Sequence, residues 1–188
     1  MRKIITENED GYNFRSIEVN VPNSLEFQVG RLLHERGLKL VLAESCTGGL
    51  LGSRITDVPG SSEYFLGSVV AYAYEAKADL LHVSWDTLNT KGAVSRETVL
   101  EMARGIRGAL KADIAISVSG IAGPGGGTPE KPVGTTWIGF VVQEGEWARK
   151  FQFSGDREEN KIFAVEAALR SLLDYLQSGQ IGANDNTS

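Results

Sequence analysis

Hydrophobic positions along this chain alternate between helical and strand-like periods. From Pro22 to Arg36, Leu25, Val29, Leu32 and Leu33 recur at helical spacing and stop at Gly37, with Asn23 or Ser24 placed to cap the start. Leu38 to Ala43 is a strand-like run that ends at Glu44-Ser45-Cys46-Thr47-Gly48-Gly49. Leu50, Leu51 and Ile55 then make the apolar face of a second helix, closed by the turn-rich Asp57 to Ser62. Phe65 to Tyr72 reads as a second strand, and Tyr74 to Leu81 as a short helix that buries Ala76, Leu80 and Leu81. Thr87 to Val94 reads as loop or a broken turn.

Ser95 caps a helix carrying Val99, Met102, Ala103, Ile106 and Leu110 to about Lys111. Asp113 to Gly120 is a β-branched third strand, and Ile121 to Pro132 a glycine- and proline-rich loop too long for a hairpin turn. Val133 to Gln143 and Trp147 to Phe153 form two strands joined at Glu144-Gly145-Glu146. Ser154 to Arg157 opens a last helix whose apolar face is Ile162, Phe163, Val165, Ala168, Leu169, Leu172, Leu173 and Leu176. Residues 1 to 20 read as an N-terminal extension, partly ordered at Phe14, Ile17 and Val19. Residues 21–178 read as one domain and 179–188 as a frayed tail.

Alternating helices and strands argue for a three-layer α/β/α sandwich, and the late hairpin makes its sheet mixed. Right-handed crossovers set the first three strands parallel, the fourth antiparallel and the fifth parallel again. One rim then collects Ser45–Gly49, Tyr72–Lys77, Ser119–Pro124, Lys131–Thr135 and Ser154–Arg157, where ligands of open α/β sheets bind.

Composition narrows the chemistry. The 188 residues are 41% hydrophobic and 23% charged, with a formal net charge of −5, which argues against a general nucleic-acid binder. A single cysteine, Cys46, with only His34 and His82, leaves no intramolecular disulfide and too few soft ligands for a zinc site. No apolar run reaches the roughly 20 residues of a membrane span, and a cytoplasmic protein is expected. Phosphate-loop, dinucleotide, nucleophile-elbow and zinc-protease signatures are missing from the sequence.

On the rim, the base nearest Ser45 is Lys77. A lysine titrating at about 10.4 is a poor base at neutral pH, so burial must depress it for a serine–lysine pair to work. Backbone N–H groups after Ser45 could hold an oxyanion, Tyr72 could relay a proton, and Thr47 and Ser119 are further hydroxyls in reach. Arg157 and Lys131 could hold a carboxylate or phosphate. Gly48, Gly49, Gly120, Gly123 and Gly125 permit close backbone approach. Each has a plainer reading: Ser45 as a helix cap, Lys77 as a solvated lysine, Cys46 as a packed residue, Arg157 as a surface ion pair. Pattern alone reaches an α/β domain with a polar cleft.

The blocks Ala43–Gly49, Pro59–Ser62, Tyr72 with Glu75-Ala76-Lys77, Gly92–Ser95, Ser119–Gly126, Lys131–Thr135 and Phe153–Arg157 resemble, in order and spacing, the CinA C-terminal domain family. The resemblance covers about residues 22 to 178. It implies strand order 2-1-3-4-5 with the fourth strand antiparallel, so strands one and two are neighbours. It also implies hydrolysis of the amide of nicotinamide mononucleotide (NMN) to nicotinate mononucleotide and ammonia, without a cofactor. Ser45 would be nucleophile and Lys77 base, with Tyr72, Thr47 and Ser119 beside them. Gly48, Gly49, Gly120, Ala122, Gly123, Gly134, Thr135 and Arg157 would contact the nucleotide. The expected partner is this small-molecule nucleotide, with no nucleic acid and no membrane, and the expected assembly a homo-oligomer. The first 20 residues lie outside the family pattern, and Tyr74 stands where a smaller polar residue is the family's habit. A nucleotide-binding module without chemistry is the alternative.

Overall fold

The structure, a computed structural model, describes residues 2–8, 11–17 and 24–180. Strands β1 (Arg2–Asn8) and β2 (Gly11–Ile17) pair antiparallel from Arg2↔Ile17 to Asn8↔Gly11 as a separate two-stranded sheet. The sequence reading has only an extension here, because neither segment alternates cleanly; Asn23, Val19 and the tail beyond residue 180 lie outside the described residues.

The remaining elements are α1 (Leu25–Arg36), β3 (Leu40–Glu44), α2 (Leu50–Thr56), β4 (Phe65–Val70), α3 (Tyr74–Leu81), α4 (Trp85–Thr90), α5 (Arg96–Leu110), β5 (Ile114–Gly120), β6 (Thr135–Val141), β7 (Glu146–Gln152) and α6 (Arg157–Ser178). Their five strands form one sheet in the order β4-β3-β5-β6-β7. β3 runs parallel to both β4 and β5, β6 is antiparallel to β5, and β7 is antiparallel to β6. The expected mixed sheet, with its order 2-1-3-4-5, is therefore the observed one.

β3 sits at the centre of two cores. All five of its residues are buried: Leu40 and Leu42 pack with α1, α2 and α6, while Val41 and Ala43 pack with α3, α4 and α5. A strand covered on both faces has no polar side to alternate with, which explains its continuous apolar run. Gly105 of α5 lies so close to the end of α3 that a β-carbon there would stand 1.9 Å from the Leu81 carbonyl oxygen.

Helix ends follow their local chemistry. Ser95 caps α5 by accepting the Thr98 N–H, and Asp156 makes a reciprocal capping box with Glu159 at α6. Ser24 stands at the N-cap of α1 without a side-chain capping bond, and Gly37 ends that helix at φ 65°.

Several sequence expectations fail, among them Leu110 of α5, which is 41% exposed. α4 runs into the supposed loop or broken turn over 87–94 as far as Thr90, with Ser84 accepting the Asp86 N–H and Glu101 accepting from Ser84 N and Thr87 Oγ1. Only Leu88 of this short polar helix is buried, so no period announces it. Leu80 is 56% exposed, because α3 turns Lys77 and Leu81, four residues apart, toward the core instead. Ile162 and Phe163 are each 41% exposed in the first turns of α6, where the buried residue is the polar Asn160.

Helices α1, α2 and α6 are tied by one cation. Arg54 Nη2 lies 2.6 Å from Glu26 Oε2 and its Nη1 2.8 Å from Glu166 Oε1, with the Glu26 side chain only 9% exposed. Replacing Arg54 by Ala should cost about 2 to 3 kcal/mol, chiefly because it strands the Glu26 carboxylate. Arg54→Met with Glu26→Met should recover most of this in urea unfolding; a single-variant loss below about 0.5 kcal/mol would mark the triad as an ordinary surface contact.

Candidate active site

The turn after β3 holds Ser45, and the chain after β4 returns Lys77 to it. Ser45 N donates to Val118 O of β5 at 2.9 Å and Ala71 N to Glu44 O at 2.9 Å, so sheet bonds continue into both turns. Lys77 lies on the first turn of α3 with its side chain fully buried. Its Nζ donates to Ser45 Oγ at 2.9 Å, to Ala71 O at 2.7 Å and to Tyr72 O at 3.1 Å.

These three partners are not equivalent. Carbonyl oxygens can only accept, whereas a serine hydroxyl can accept or donate. As an ammonium, Lys77 uses its three N–H groups on all three. As a neutral amine it keeps two N–H groups for the two carbonyls, and its lone pair is left to accept the Ser45 O–H. Burial pulls the Lys77 amine down from 10.5 to about 8, bringing that neutral form within reach of ordinary pH. Cys46, beside the serine, is 7% exposed, and burial pushes its thiol up to about 12, so it stays protonated in the core.

Ser45 does not cap α2. The N-cap position belongs to Gly49, at φ 96°, and the capping acceptor comes from Glu44. The fully buried Glu44 carboxylate accepts from Gly49 N (3.0 Å), Leu51 N (3.1 Å), Gly52 N (2.8 Å), Thr47 Oγ1 (2.7 Å) and Ser68 Oγ (2.9 Å). With Gly48 N donating to Ser45 O and Leu50 N to Thr47 O, the N–H groups from Gly48 to Gly52 are all committed inside the protein. The oxyanion donors expected after Ser45 narrow to the N–H groups of Cys46 and Thr47.

The other predicted residues divide into two sets. One continues outward from Lys77: Arg157 Nη2 donates to Tyr72 Oη at 3.0 Å and its Nη1 to Gly123 O at 2.6 Å. Arg157, at the start of α6, thus bridges the turn after β4 and the loop after β5. The second set has its hydroxyls engaged in the framework. Thr47 donates to Glu44, Ser119 to Ala93 O at 2.8 Å and Thr135 to Gln152 Oε1 at 2.8 Å, each with at most 1% of its surface exposed.

The glycine-rich loop is tightly held. Gly134 has φ 87°, and a β-carbon there would stand 1.9 Å from Phe153 O, so only glycine fits. Its N–H donates to Ile121 O at 2.7 Å, and Ile121 N to Thr135 O at 2.8 Å. Gly120 is similarly crowded: a β-carbon on it would stand 2.4 Å from Thr136 Oγ1. Ala122 is 8% exposed and its carbonyl accepts from Asn160 Nδ2 at 3.0 Å. Lys131, expected to face a ligand, donates to Lys91 O at 2.7 Å, and Tyr74 Oη accepts from Ala93 N at 3.2 Å.

Sequence reasoning passes over Glu44, Ser68 and Asn160. Glu44 carries a usable signal, a charged residue closing an apolar strand, because burial of a charge requires several partners. Asn160, 2% exposed, bonds Gly155 and Ala122 and has no such mark in the sequence. Among the described residues no group of three or more His, Cys, Asp or Glu side chains is placed to hold a metal ion, and no helix is long and apolar enough to cross a membrane.

A family model for the CinA C-terminal domain matches residues 22–176. A CinA-like protein of Chlorobaculum tepidum is 52% identical over 159 residues, covering 82% of this chain and 38% of its own length. A CinA-like protein of Desulforapulum autotrophicum is 50% identical over 162 residues, covering 84% of this chain and again 38% of its own length. The chain thus spans well under half of these curated relatives. Among solved structures, a competence-damaged protein (CinA) superfamily protein from Klebsiella pneumoniae superposes with TM-score 0.79 at 37% identity, over 81% of this chain and 96% of that one. The competence/damage inducible protein CihA from Agrobacterium tumefaciens gives TM-score 0.78 at 37% identity, over 86% and 100%. With the family model matching most of its length, and the fold and sequence likenesses agreeing, this chain belongs to the CinA C-terminal domain family.

Proposed function

We propose that the domain is an amidohydrolase that converts NMN and water to nicotinate mononucleotide and ammonia, with Ser45 as nucleophile and Lys77 as base. The observation that carries this reading is the buried Lys77 amine, whose two carbonyl partners leave its lone pair to the Ser45 hydroxyl. Ser45 Oγ attacks the carboxamide carbon as its proton passes to Lys77 Nζ. The N–H groups of Cys46 and Thr47 receive the oxyanion. Lys77 then returns the proton to the departing nitrogen, the C–N bond breaks and ammonia leaves an acyl-serine ester. Water attacks that ester, Lys77 again takes and returns one proton, and Ser45 is regenerated with release of the carboxylate. Arg157, the Gly120–Gly123 segment and the Gly134-Thr135 turn lie on the rim where the ribose phosphate would be held.

Ammonia release from NMN tests this directly. Ser45→Ala and Lys77→Ala should each lower kcat by roughly a thousandfold or more. Near-normal turnover by Ser45→Ala would remove the nucleophile assignment. Thermal stabilisation by NMN without any ammonia would favour a binding module instead.

Two pH effects follow from Lys77. Its neutral form is the active one, so kcat/KM should rise with pH to a plateau through a midpoint near 8. At pH 6 it should lie roughly a hundredfold below the plateau. Between pH 8 and 10.5 the unfolded chain binds more proton at this lysine than the folded one, so folding stability rises with pH there and is lost as pH falls toward 8. Relative to Lys77→Met, the wild type should gain up to about 3 kcal/mol across that window in urea titrations. A difference that stays constant with pH would place the lysine's proton elsewhere.

A further inference from the structure

α6 grips the loop after β5 with two side chains from its first turn. Asn160 is 2% exposed and uses its whole amide on main-chain atoms. Nδ2 donates to Ala122 O at 3.0 Å and to Gly155 O at 2.8 Å, while Oδ1 accepts the Gly155 N–H at 3.0 Å. One buried side chain thus clasps Gly155 by both its polar groups and ties it to the loop. Three residues earlier, on the same helix face, Arg157 reaches the next carbonyl along, donating from Nη1 to Gly123 O at 2.6 Å and from Nη2 to Tyr72 Oη at 3.0 Å.

The two grips differ in what holds them. Arg157 is exposed, and a solvated arginine gives up about 2 kcal/mol of rotamer freedom when fixed in one pose. Tyr72 is 59% exposed, and the bond from Arg157 is the one its hydroxyl makes among the described residues. Such a pair keeps its pose only if the acceptor it leans on is itself fixed. Ile121 is bonded to Gly134 and Thr135, so the loop is anchored up to there. Past it, the Asn160 bond to Ala122 O is the buried tie that comes before Gly123.

We propose that Asn160 is the positioning residue of this lip: it holds Gly155 and the Ala122-Gly123 carbonyls in one frame, so that Arg157 and Tyr72 are set before any ligand arrives. Asn160 itself touches no ligand. For its effect on substrate the proposal rests on the amidohydrolase reading, in which Arg157 serves the phosphate end. Loss of Asn160 then weakens binding through Arg157 and leaves the Ser45–Lys77 chemistry in place.

The first test needs no substrate. Phenylglyoxal modification of the full chain, read at each arginine by mass spectrometry, reports how firmly a guanidinium is held. Asn160→Ala should speed reaction at Arg157 roughly fivefold, the size of one hydrogen bond. Arg104, paired with Glu146 on the other face of the sheet, should react as in the wild type. Asn160→Asp, which keeps the shape and the acceptor for Gly155 N but loses both donors, should behave as Asn160→Ala does. A folded variant in which Arg157 reacts at the wild-type rate overturns the proposal. Should neither variant fold, Arg157→Ala decides, because coupling is mutual: this surface change should speed hydrogen exchange at Gly155 N, and unchanged exchange overturns the proposal. Ammonia release then reads the consequence. Asn160→Ala should raise KM for NMN roughly tenfold with kcat within about twofold, leave KM for the dephosphorylated riboside unchanged, and add nothing to Arg157→Ala. An unchanged KM for NMN, or losses that add, overturns the proposal. A wild type that releases no ammonia removes the substrate reading instead, and modification and exchange still decide on the clasp.

Discussion

The site depends on one buried amine having two acceptors that cannot donate and one that can. Lys77 is taken out of water by α3, and its nitrogen is surrounded by Ala71 O, Tyr72 O and Ser45 Oγ. The carbonyls come from the turn between β4 and α3, and the hydroxyl from the turn after β3. The pairing therefore requires β3 and β4 to be neighbours, as they are. Desolvation alone would lower the amine's pKa; the two carbonyls add direction, because they fix which way the remaining lone pair points.

Around that contact the fold supplies two layers of support. The lower layer is the Glu44 carboxylate, which gathers the starts of α2 and the Ser45 turn and reaches Ser68 on β4. The upper layer is the arc from Tyr72 through Arg157 to Gly123, which draws together segments distant in the chain. Between them lies the side-chain pair whose protonation the chemistry uses; the lower layer is built mostly from bonds to main-chain atoms, and the upper one is anchored on the Gly123 carbonyl. Main-chain partners make such a frame tolerant of sequence change at its surface.

Much of this is legible in the chain. The period of α6, the cap at Ser95 and the continuous apolar run of β3 each follow from local physics, and the strand–helix alternation leads to the correct strand directions, the strand order coming from the family resemblance. Topology places Ser45 and Lys77 on one rim, with the family resemblance supplying the adjacency of their strands. What escapes is whatever depends on tertiary partners. α4 forms because Glu101, on another helix, accepts from Ser84 and Thr87. The choice of Lys77 over Leu80 as the buried residue of α3 reverses the rule that charges face water, and hydropathy cannot show it. Asn160 is one polar residue in a long helix, and only the carbonyls of Gly155 and Ala122 explain its burial.

The contact between Gly105 and Leu81 reaches further than packing. α3 is only eight residues long, and Lys77 sits one turn before the leucine whose carbonyl presses on α5. The height of the amine above the sheet is thus gauged by the thickness of a single backbone on the far side of that helix. A side chain of any size at 105 would act as a shim, lifting α3 and the lysine together away from the serine. The molecule's chemistry is in this sense calibrated from behind, by the smallest residue available, at a position no ligand would meet.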